Sequence, residues 1–291
     1  MKAFVAWLVA RPQNAIVGLV VTLLLPIPVI TSVVSSIIVV LLVMLQGSRR
    51  ATTEVVIASL ILVGISLVAG FAVPRLAELI GLFWAPALLL GIVLRRTRSL
   101  TLTMQVSLIT AVVALVGFFV VMPDQAEFWQ PRVAEAAEIM RASGLELNTA
   151  RLDLEFMTVS AVLMVWTLGT AGFLLGYGTY RKFADEIAQY GLFRDLDFGR
   201  VIAFTLALVS LIAFLVDVTW LQNVALLMFV AFWIQGLAIV HYMHAEKMIP
   251  WGAVVAVYVL VPLLQVMVIT TLAILGYMDA WFGIRRRMKK A

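Results

Sequence analysis

The sequence predicts an all-α protein: a polytopic transmembrane helical bundle with about eight or nine membrane segments and a short amphipathic extramembrane helix. Of its 291 residues, 64% are hydrophobic and only 13% are charged, and the mean hydropathy is +1.09. Long apolar runs alternate with short polar intervals that hold most of the Lys and Arg residues. Soluble domains are about half apolar and about a quarter charged, so the bilayer must act as part of the solvent.

A helix that crosses the hydrocarbon core needs roughly 20 mainly apolar residues. Eight clear runs and a weaker first one approach this length. In chain order the predicted segments are 14–25, 29–45, 52–70, 76–94, 101–122, 157–178, 201–216, 219–240 and 251–278. The first run could extend backwards through residues 3–10, and Pro26 and Pro28 separate it from the second. All 291 residues are predicted to form a single integral membrane domain.

The distribution of basic residues predicts which loops face the cytoplasm, because Lys and Arg in short loops tend to stay on that side. If every run crosses once, three basic groups share one side: Arg49 with Arg50, Arg95 and Arg96 with Arg98, and Arg181 with Lys182. The interval 123–156 falls on the other side and carries seven acidic residues against three arginines. We therefore predict an outer acidic interval at 123–156 and a cytoplasmic linker at 179–200.

The basic tail, residues 283–291, conflicts with this simple count. It holds the densest cluster of Lys and Arg, which predicts a cytoplasmic position, whereas three crossings after Arg200 would leave it outside. The last apolar run has 28 residues with Pro262 near its middle, too long for one untilted span and too short for two. Either this run bends at Pro262 and re-enters, or a preceding short helix does not cross fully.

The outer interval predicts a short amphipathic helix at the membrane surface. Pro131 would occupy its first position and Gly144 would cap its end. Its buried face would consist of apolar residues at helical spacing, namely Val133, Ala137 and Met140. Asn148 is predicted to be the N-cap of a helix that continues into the span 157–178.

Small residues in the span 157–178 predict close helix packing. Gly169, Gly172 and Gly176 fall on one helix face, where the lack of side chains lets a neighbouring helix approach. A pore or hinge is the alternative. Serines in the second span, Ser32, Ser35 and Ser36, favour the same kind of contact.

Polar side chains within the apolar runs are the candidate ligand-binding residues, because polar groups in hydrocarbon usually face other helices or a cavity. They are Asn223, Gln235, Trp166, Gln265 and His241. Interhelical hydrogen bonding is the alternative for each of them. Gly236, next to Gln235, would let a partner backbone come close. His244 can share a helix face with His241, but nothing specifies a third ligand, so we expect no metal site.

The sequence does not contain the residues that several kinds of protein chemistry require. The chain has no cysteine, which excludes disulfides and thiolate chemistry. P-loop, HExxH and GxSxG motifs are absent, as are visible pairs of catalytic carboxylates. We expect no catalytic residues, no cofactor and no enzyme activity. The basic residues are not interleaved with aromatic ones as in single-strand binding surfaces, so nucleic acid is not an expected partner.

Four short motifs resemble the YybS-like family of bacterial membrane proteins, which carry a domain of unknown function. They are Pro26-Ile27-Pro28 before a helix ending in Gln46-Gly47-Ser48-Arg49-Arg50, then Tyr190-Gly191-Leu192-Phe193-Arg194-Asp195, Gln235-Gly236-Leu237-Ala238 with His241, and Leu275-Gly276-Tyr277-Met278-Asp279-Ala280-Trp281-Phe282 followed by Arg285. The resemblance covers nearly the whole chain. It implies a distant similarity to the S components of energy-coupling-factor transporters, with a ligand cavity among the later helices. The extra spans and the acidic outer interval depart from the six helices of S components.

Two hypotheses for the function follow. In the first, the chain is a multi-pass protein of the bacterial inner membrane that binds or transports a small molecule, with a partner to supply energy. In the second, it is a scaffold or assembly factor that contacts other membrane proteins or its own copies. A deep cavity lined by polar groups would favour the first, and a filled interior with an exposed glycine-rich or amphipathic surface the second.

Overall fold

The computed structural model confirms the predicted all-α fold. It describes residues 2–25, 28–70, 73–145, 152–183 and 190–288, and the regular elements among them are helices. They are α1 (Lys2–Ala10), α2 (Pro12–Leu24), α3 (Pro28–Gln46), α4 (Ser48–Ala69), α5 (Val73–Leu79), joined by a π-helical turn (Ile80–Trp84) to α6 (Ala85–Thr97), α7 (Leu100–Val121), α8 (Gln125–Ala142), α9 (Met157–Phe183), α10 (Gly199–Val216), α11 (Thr219–Ala245), α12 (Trp251–Leu263), α13 (Gln265–Phe282) and α14 (Ile284–Met288).

The chain is a multi-pass membrane protein. Seven of the described helical segments are long and apolar enough to cross a membrane. They are α4, α5 with α6, α7, α9 with the turn before it, α10, α11 and α13. Residues 30–46 of α3, and α12, form shorter apolar helices. Backbone polar groups cannot reach water inside the hydrocarbon core, so each crossing segment satisfies them within a helix.

The first apolar run is not one straight helix. α1 and α2 meet at a bend of 117°, so the backward extension through residues 3–10 as a continuous segment is wrong. The bend lies at Arg11, which has an extended backbone conformation, and Pro12 begins the next helix. Proline at a first helical position has no N–H to lose and cannot continue a preceding helix.

The helices group into two compact units. The first comprises residues 1–107 and 165–196, and the second comprises residues 108–164 and 197–291. In the first unit α3 is the central helix, and residues 38–43 are each at most 1% exposed. It packs against α2, α4 and α6. Because α3 has neighbours around it, its sequence is apolar on every side rather than amphipathic.

Two of the three predicted packing glycines lie where α9 meets α3. A Cβ at Gly172 would lie 2.8 Å from the Cβ of Ser36, and one at Gly176 would lie 2.9 Å from the Cβ of Val40. These two glycines therefore lie at a close contact between α9 and α3. A Cβ at Gly169 would meet nothing within 4 Å. Gly169 shares their helical spacing but lies one turn nearer the start of α9, where the space around its Cβ is open.

The second unit is organised by a close contact between α11 and α13. A Cβ at Gly236 would overlap the backbone of Leu272, and one at Gly276 would overlap the carbonyl of Phe232. Only glycine lets two helix backbones approach this closely. The predicted close approach at Gly236 is thus confirmed.

The last apolar run is broken where the proline predicted a bend. α12 ends at Leu263 and α13 begins at Gln265, with Pro262 inside the last turn of α12. Val254 of α12 and Leu272 of α13 belong to one buried cluster. Residues 18 positions apart on a straight helix would be separated by about 27 Å, so the chain turns back at Leu264 and the two helices form a hairpin.

The hairpin returns the chain to the end of the unit where α11 finishes. The rings of Phe232 and Tyr277 lie 5.4 Å apart, and one turn further along α11, Gln235 reaches Asp279. α10 and α11 are joined by a short turn and the start of α10 lies beside Gln235, so these two helices run in opposite directions. Tyr277 reaches the carbonyl of Ala203 and Arg286 lies beside Asp197, so α13 also runs opposite to α10 and therefore in the same direction as α11. The first residues of the basic tail therefore lie beside the start of α10, where Arg286 approaches Asp197 at 3.7 Å. This geometry agrees with a re-entrant last run and with a tail on the same side as the linker.

The amphipathic helix of the outer interval is present as α8, but it begins earlier than the sequence predicts. Asp124 is its N-cap and accepts a hydrogen bond from the backbone N–H of Glu127 at 3.0 Å, so Pro131 lies inside the helix and not at its first position. Gly144, at φ 78°, follows the end of the helix as predicted. Asn148 lies outside the described residues. The helix α9 is preceded by a short turn capped by Asp153.

Replacing Gly236 with alanine is expected to destabilise the folded protein, because the added methyl group would overlap the backbone of Leu272. Overpacking costs about 1–3 kcal/mol, and a helix backbone yields less than a flexible side chain, so we expect about 3 kcal/mol. Thermal unfolding in mild detergent measures the loss. Gly169→Ala is the matched control, since that Cβ meets open space. Equal melting temperatures of the two variants would contradict the proposed packing role of Gly236.

Candidate functional site

Gln235, the most prominent polar residue of the predicted site, is fully buried and bonded to protein groups. Its Oε1 accepts a hydrogen bond from the backbone N–H of Phe198 at 2.8 Å. Its Nε2 donates to Asp279 Oδ2 at 3.0 Å and to Asp197 Oδ1 at 3.3 Å. Both amide protons and the carbonyl oxygen thus have partners within the second unit. This arrangement corresponds to the interhelical hydrogen-bonding alternative.

Asp279 joins Gln235 to the start of the basic tail. Its Oδ2 accepts from Arg285 Nη2 at 2.7 Å and from Arg285 Nε at 3.0 Å, and its Oδ1 accepts from the Arg285 backbone N–H at 3.0 Å. Both side chains are nearly buried, so the carboxylate and the guanidinium compensate each other's charge. Gly283, at φ 60°, ends α13 and lets the chain fold back to form this pair. Neither residue was predicted from the sequence to belong to a site.

Asn223 is buried near the opposite end of α11. Its Nδ2 donates to the carbonyl of Glu155 at 3.0 Å and to that of Thr219 at 2.9 Å. Its Oδ1 is buried without a hydrogen-bond partner among the described residues. Asn223 therefore links the start of α11 to the turn before α9. Its partners are different from those of Gln235, which lies 12 residues further along α11.

The other three predicted residues lie in separate environments. Trp166, in the first unit, donates from Nε1 to Ser107 Oγ at 3.2 Å. His241 Nε2 lies 2.9 Å from the hydroxyl of Tyr258, and Gln265 is exposed at the start of α13. Within the second unit, Asn223, Gln235 and His241 therefore contact different groups. Among the described residues, no group of three or more His, Asp or Glu side chains is arranged to hold a metal ion.

A basic pocket in the first unit is the better candidate for a binding site. It has a volume of about 520 Å³ and is lined by residues 46–50, Thr53 and Arg95, where α3 ends and α4 begins. Three arginines, Arg49, Arg50 and Arg95, contribute to its walls. It lies at the end of the unit that the sequence predicts to be cytoplasmic.

The shape of the pocket depends on Arg95 and Gly47. Arg95 Nη1 donates to the carbonyls of Val43 and Met44, both at 2.9 Å, and so caps the end of α3. Gly47 has φ 97°, a conformation that side-chain-bearing residues rarely adopt. A Cβ at Gly47 would lie 3.6 Å from Arg95 Nη2, so the guanidinium lies directly over the turn.

The backbone adds further hydrogen-bond donors to the pocket. No side chain caps the start of α4, and the first intrahelical bond is the one from the Ala51 N–H to the Gly47 carbonyl. The N–H groups of Ser48, Arg49 and Arg50 are left without partners in the helix. The start of a helix carries a partial positive charge. Backbone and side chains thus favour an anion in the same place.

Unpaired polar groups also line the pocket. Neither the Nε2 nor the Oε1 of Gln46 has a hydrogen-bond partner among the described residues, and both atoms are buried. The exposed guanidinium of Arg49 likewise has no partner there. Arg50 Nε pairs with Glu54 Oε1 at 3.1 Å. Three arginines against one carboxylate leave the pocket region with a net positive charge.

The pocket was not predicted from the sequence. Arg49, Arg50 and Arg95 were interpreted as topology signals, and 45 residues of chain separate Arg50 from Arg95. The available signal was the local motif Gln46-Gly47-Ser48-Arg49-Arg50, in which glycine ends one helix and two arginines begin the next. Only the packing of α6 against α3 brings Arg95 to that turn.

Comparison of the chain with models of protein families, with curated proteins and with solved structures gave no match. The functional assignment therefore rests on the geometry of the described residues.

Replacing Gln235 with leucine is expected to destabilise the protein and not to act through a ligand. The variant leaves the buried N–H of Phe198 without its acceptor and removes a hydrogen bond from Asp279, and each unsatisfied buried group costs about 1–3 kcal/mol. Thermal unfolding in detergent measures this effect. Gln130→Leu, at an exposed position of α8, is the control for the glutamine-to-leucine change. Unaltered stability of Gln235→Leu would contradict its packing role.

Proposed function

We propose that this protein is a membrane-embedded binding subunit whose ligand is a small anionic group held in the basic pocket between α3 and α4. The observation that carries the proposal is the convergence of Arg49, Arg50 and Arg95 around an open surface pocket of about 520 Å³. Arginine forks and free N–H groups at a helix start are the donors that phosphate and carboxylate groups accept from.

Binding is favoured over catalysis by the contents of the pocket. Its lining supplies guanidinium groups, an amide, hydroxyls and backbone N–H groups, which can hold an anion. None of these is an activated nucleophile or a general base at neutral pH. Glu54, one turn after Arg50 in α4, is paired with the Arg50 guanidinium. We accordingly propose no enzyme activity.

The location and the partners are part of the same proposal. The arginines around the pocket belong to the basic loops whose distribution favours the cytoplasmic side of a bacterial inner membrane. The role agrees with what the resemblance to YybS-like proteins and transporter S components implies, although the site lies on early helices and not on later ones. No nucleotide-binding motif occurs in the sequence, so transport would require an energy-supplying partner.

Replacing Arg49 with glutamine is expected to abolish stabilisation of the protein by a small phosphate-bearing anion such as inorganic pyrophosphate. A ligand at a hundred times its Kd stabilises the folded state by about 2.7 kcal/mol, which thermal unfolding detects as a higher Tm. The exposed guanidinium of Arg49 has no partner among the described residues, so the substitution should leave the fold intact.

Arg96→Gln is the matched control, because Arg96 is exposed at the same end of the unit but does not line the pocket. We expect this variant to respond to the anion like the unaltered protein. An equal response of the Arg49 and Arg96 variants would contradict a specific site. If neither a small anion nor an anionic lipid raises the Tm of the unaltered protein, the proposal is contradicted.

The scaffold hypothesis has one observation in its favour, at the tip of the α12–α13 hairpin. The tip residues Leu263, Val266 and Met267 are 69–79% exposed, and the helix is interrupted between them. α12 extends only about 20 Å from its start, less than the roughly 30 Å of the hydrocarbon core. An interrupted backbone exposed to lipid at that depth is costly. The tip presents both the last carbonyls of α12 and the first N–H groups of α13. Hydrogen bonds between the tips of two copies would satisfy these backbone groups.

A single cysteine introduced at Gln265 is expected to form a disulfide between copies if the tip is an interface of a homo-oligomer. The natural chain contains no cysteine, so any disulfide would report the introduced position alone. Oxidation in native membranes followed by non-reducing electrophoresis measures it. A cysteine at Gln130, on the exposed surface of α8, serves as the control. Exclusively monomeric protein with a lipid-accessible residue 265 would contradict this alternative.

A further inference from the structure

We infer that the anion held by the basic pocket is the phosphate headgroup of an anionic membrane phospholipid, bound with an acyl chain along the outer face of α4. This inference rests on the proposed function and names its ligand class. Free phosphate esters share the same headgroup chemistry. The observations that distinguish the two sources lie on the helix surface below the pocket.

An exposed stripe of α4 leads from the pocket into the apolar part of the helix. Arg49 and Thr53 line the pocket, and spacings of three and four residues continue their face through Ile57, Leu60, Gly64 and Leu67. These spacings keep side chains on one side of a helix. The stripe therefore changes from cationic to hydroxyl to apolar along its length. That order matches the headgroup, glycerol and acyl regions of a phospholipid.

The stripe is open to the surroundings of the protein. Leu60 is 66% exposed and Leu67 is 70% exposed, and nothing lies within 4 Å of a Cβ at Gly64. Gly64 thus leaves a shallow notch between two projecting leucines, into which a flexible hydrocarbon chain can pack. A lipid could enter this site sideways from the bilayer. A soluble anion would use the pocket but gain nothing from the stripe.

The pocket itself discriminates among headgroups by charge. Arg50 is already paired with Glu54, and Arg95 Nη1 already donates to two carbonyls. The donors that remain for a ligand are the guanidinium of Arg49 and the other N–H groups of Arg95. A phosphodiester with an uncharged substituent adds one negative charge to this site. A choline headgroup would bring a quaternary ammonium beside the arginines, which is unfavourable. The expected preference is for phosphatidylglycerol over phosphatidylcholine.

The test uses the full-length protein, purified and delipidated in mild detergent. It is titrated separately with dioctanoyl phosphatidylglycerol, dioctanoyl phosphatidylcholine, glycerol 3-phosphate and inorganic pyrophosphate. Native mass spectrometry counts the bound molecules, and the apparent Kd is compared between the unaltered protein, Arg49→Gln and Arg96→Gln. A further variant, Gly64→Leu, fills the notch in the apolar stripe without changing any charge.

The inference predicts one tightly bound phosphatidylglycerol per chain. Arg49→Gln should weaken it by about tenfold, the scale of a lost charged hydrogen bond, whereas Arg96→Gln should leave it unchanged. Gly64→Leu should weaken the binding of the lipid but not that of pyrophosphate, because only the lipid packs into the notch. Phosphatidylcholine should bind more weakly than phosphatidylglycerol.

Other results would overturn the inference in distinguishable ways. Pyrophosphate or glycerol 3-phosphate binding as tightly as the lipid, with the same dependence on Arg49, would retain the anion site and reject the lipid as its ligand. Lipid binding that is weakened equally by Arg49→Gln and Arg96→Gln would indicate general attraction to a basic surface. Absence of binding by all four compounds would reject both the inference and the proposed function.

Discussion

The glycine contact between α11 and α13 is the constraint on which the second unit depends. Gly236 and Gly276 allow the two backbones to touch, and this approach brings the side chain of Gln235 within 3.0 Å of Asp279. Asp279 in turn binds Arg285. A sequence of interactions thus extends from an apolar helix contact to the beginning of the basic tail, and larger residues at either glycine would separate its members.

Polar groups inside the apolar helices serve two different purposes in this protein. The buried amide of Gln235 is bonded to backbone and carboxylate groups of its own unit, as expected where no water is available to satisfy it. At the junction of α3 and α4, by contrast, the Gln46 amide has no partner among the described residues. The difference separates a network whose polar groups are satisfied within the second unit from a pocket that has an unsatisfied amide in its wall.

The fold class and most helices were predictable from the sequence, because apolar length and hydropathy reflect the thickness of a bilayer. Pro262 correctly indicated a break in the last run. The glycine spacing in α9 was a weaker guide: Gly172 and Gly176 lie against α3, whereas a Cβ at Gly169 would meet nothing within 4 Å, since spacing identifies a helix face without fixing how closely the neighbouring helix approaches at each turn. Pro131 was likewise misplaced because Asp124, a better N-cap, starts α8 earlier.

The sequence by itself determined that this chain is an all-α membrane protein. With so many apolar and so few charged residues, much of its surface must be apolar, and such a surface is stable only in contact with lipid. It also determined which residue types were available for chemistry, and cysteine was not among them. The tertiary structure alone decided which polar residues meet. Arg95 is distant in sequence from Arg49 and Arg50, and only the packing of α6 against α3 assembles them around one pocket. Helical periodicity specifies the faces of single helices, whereas the juxtaposition of those faces depends on contacts between residues far apart in the chain.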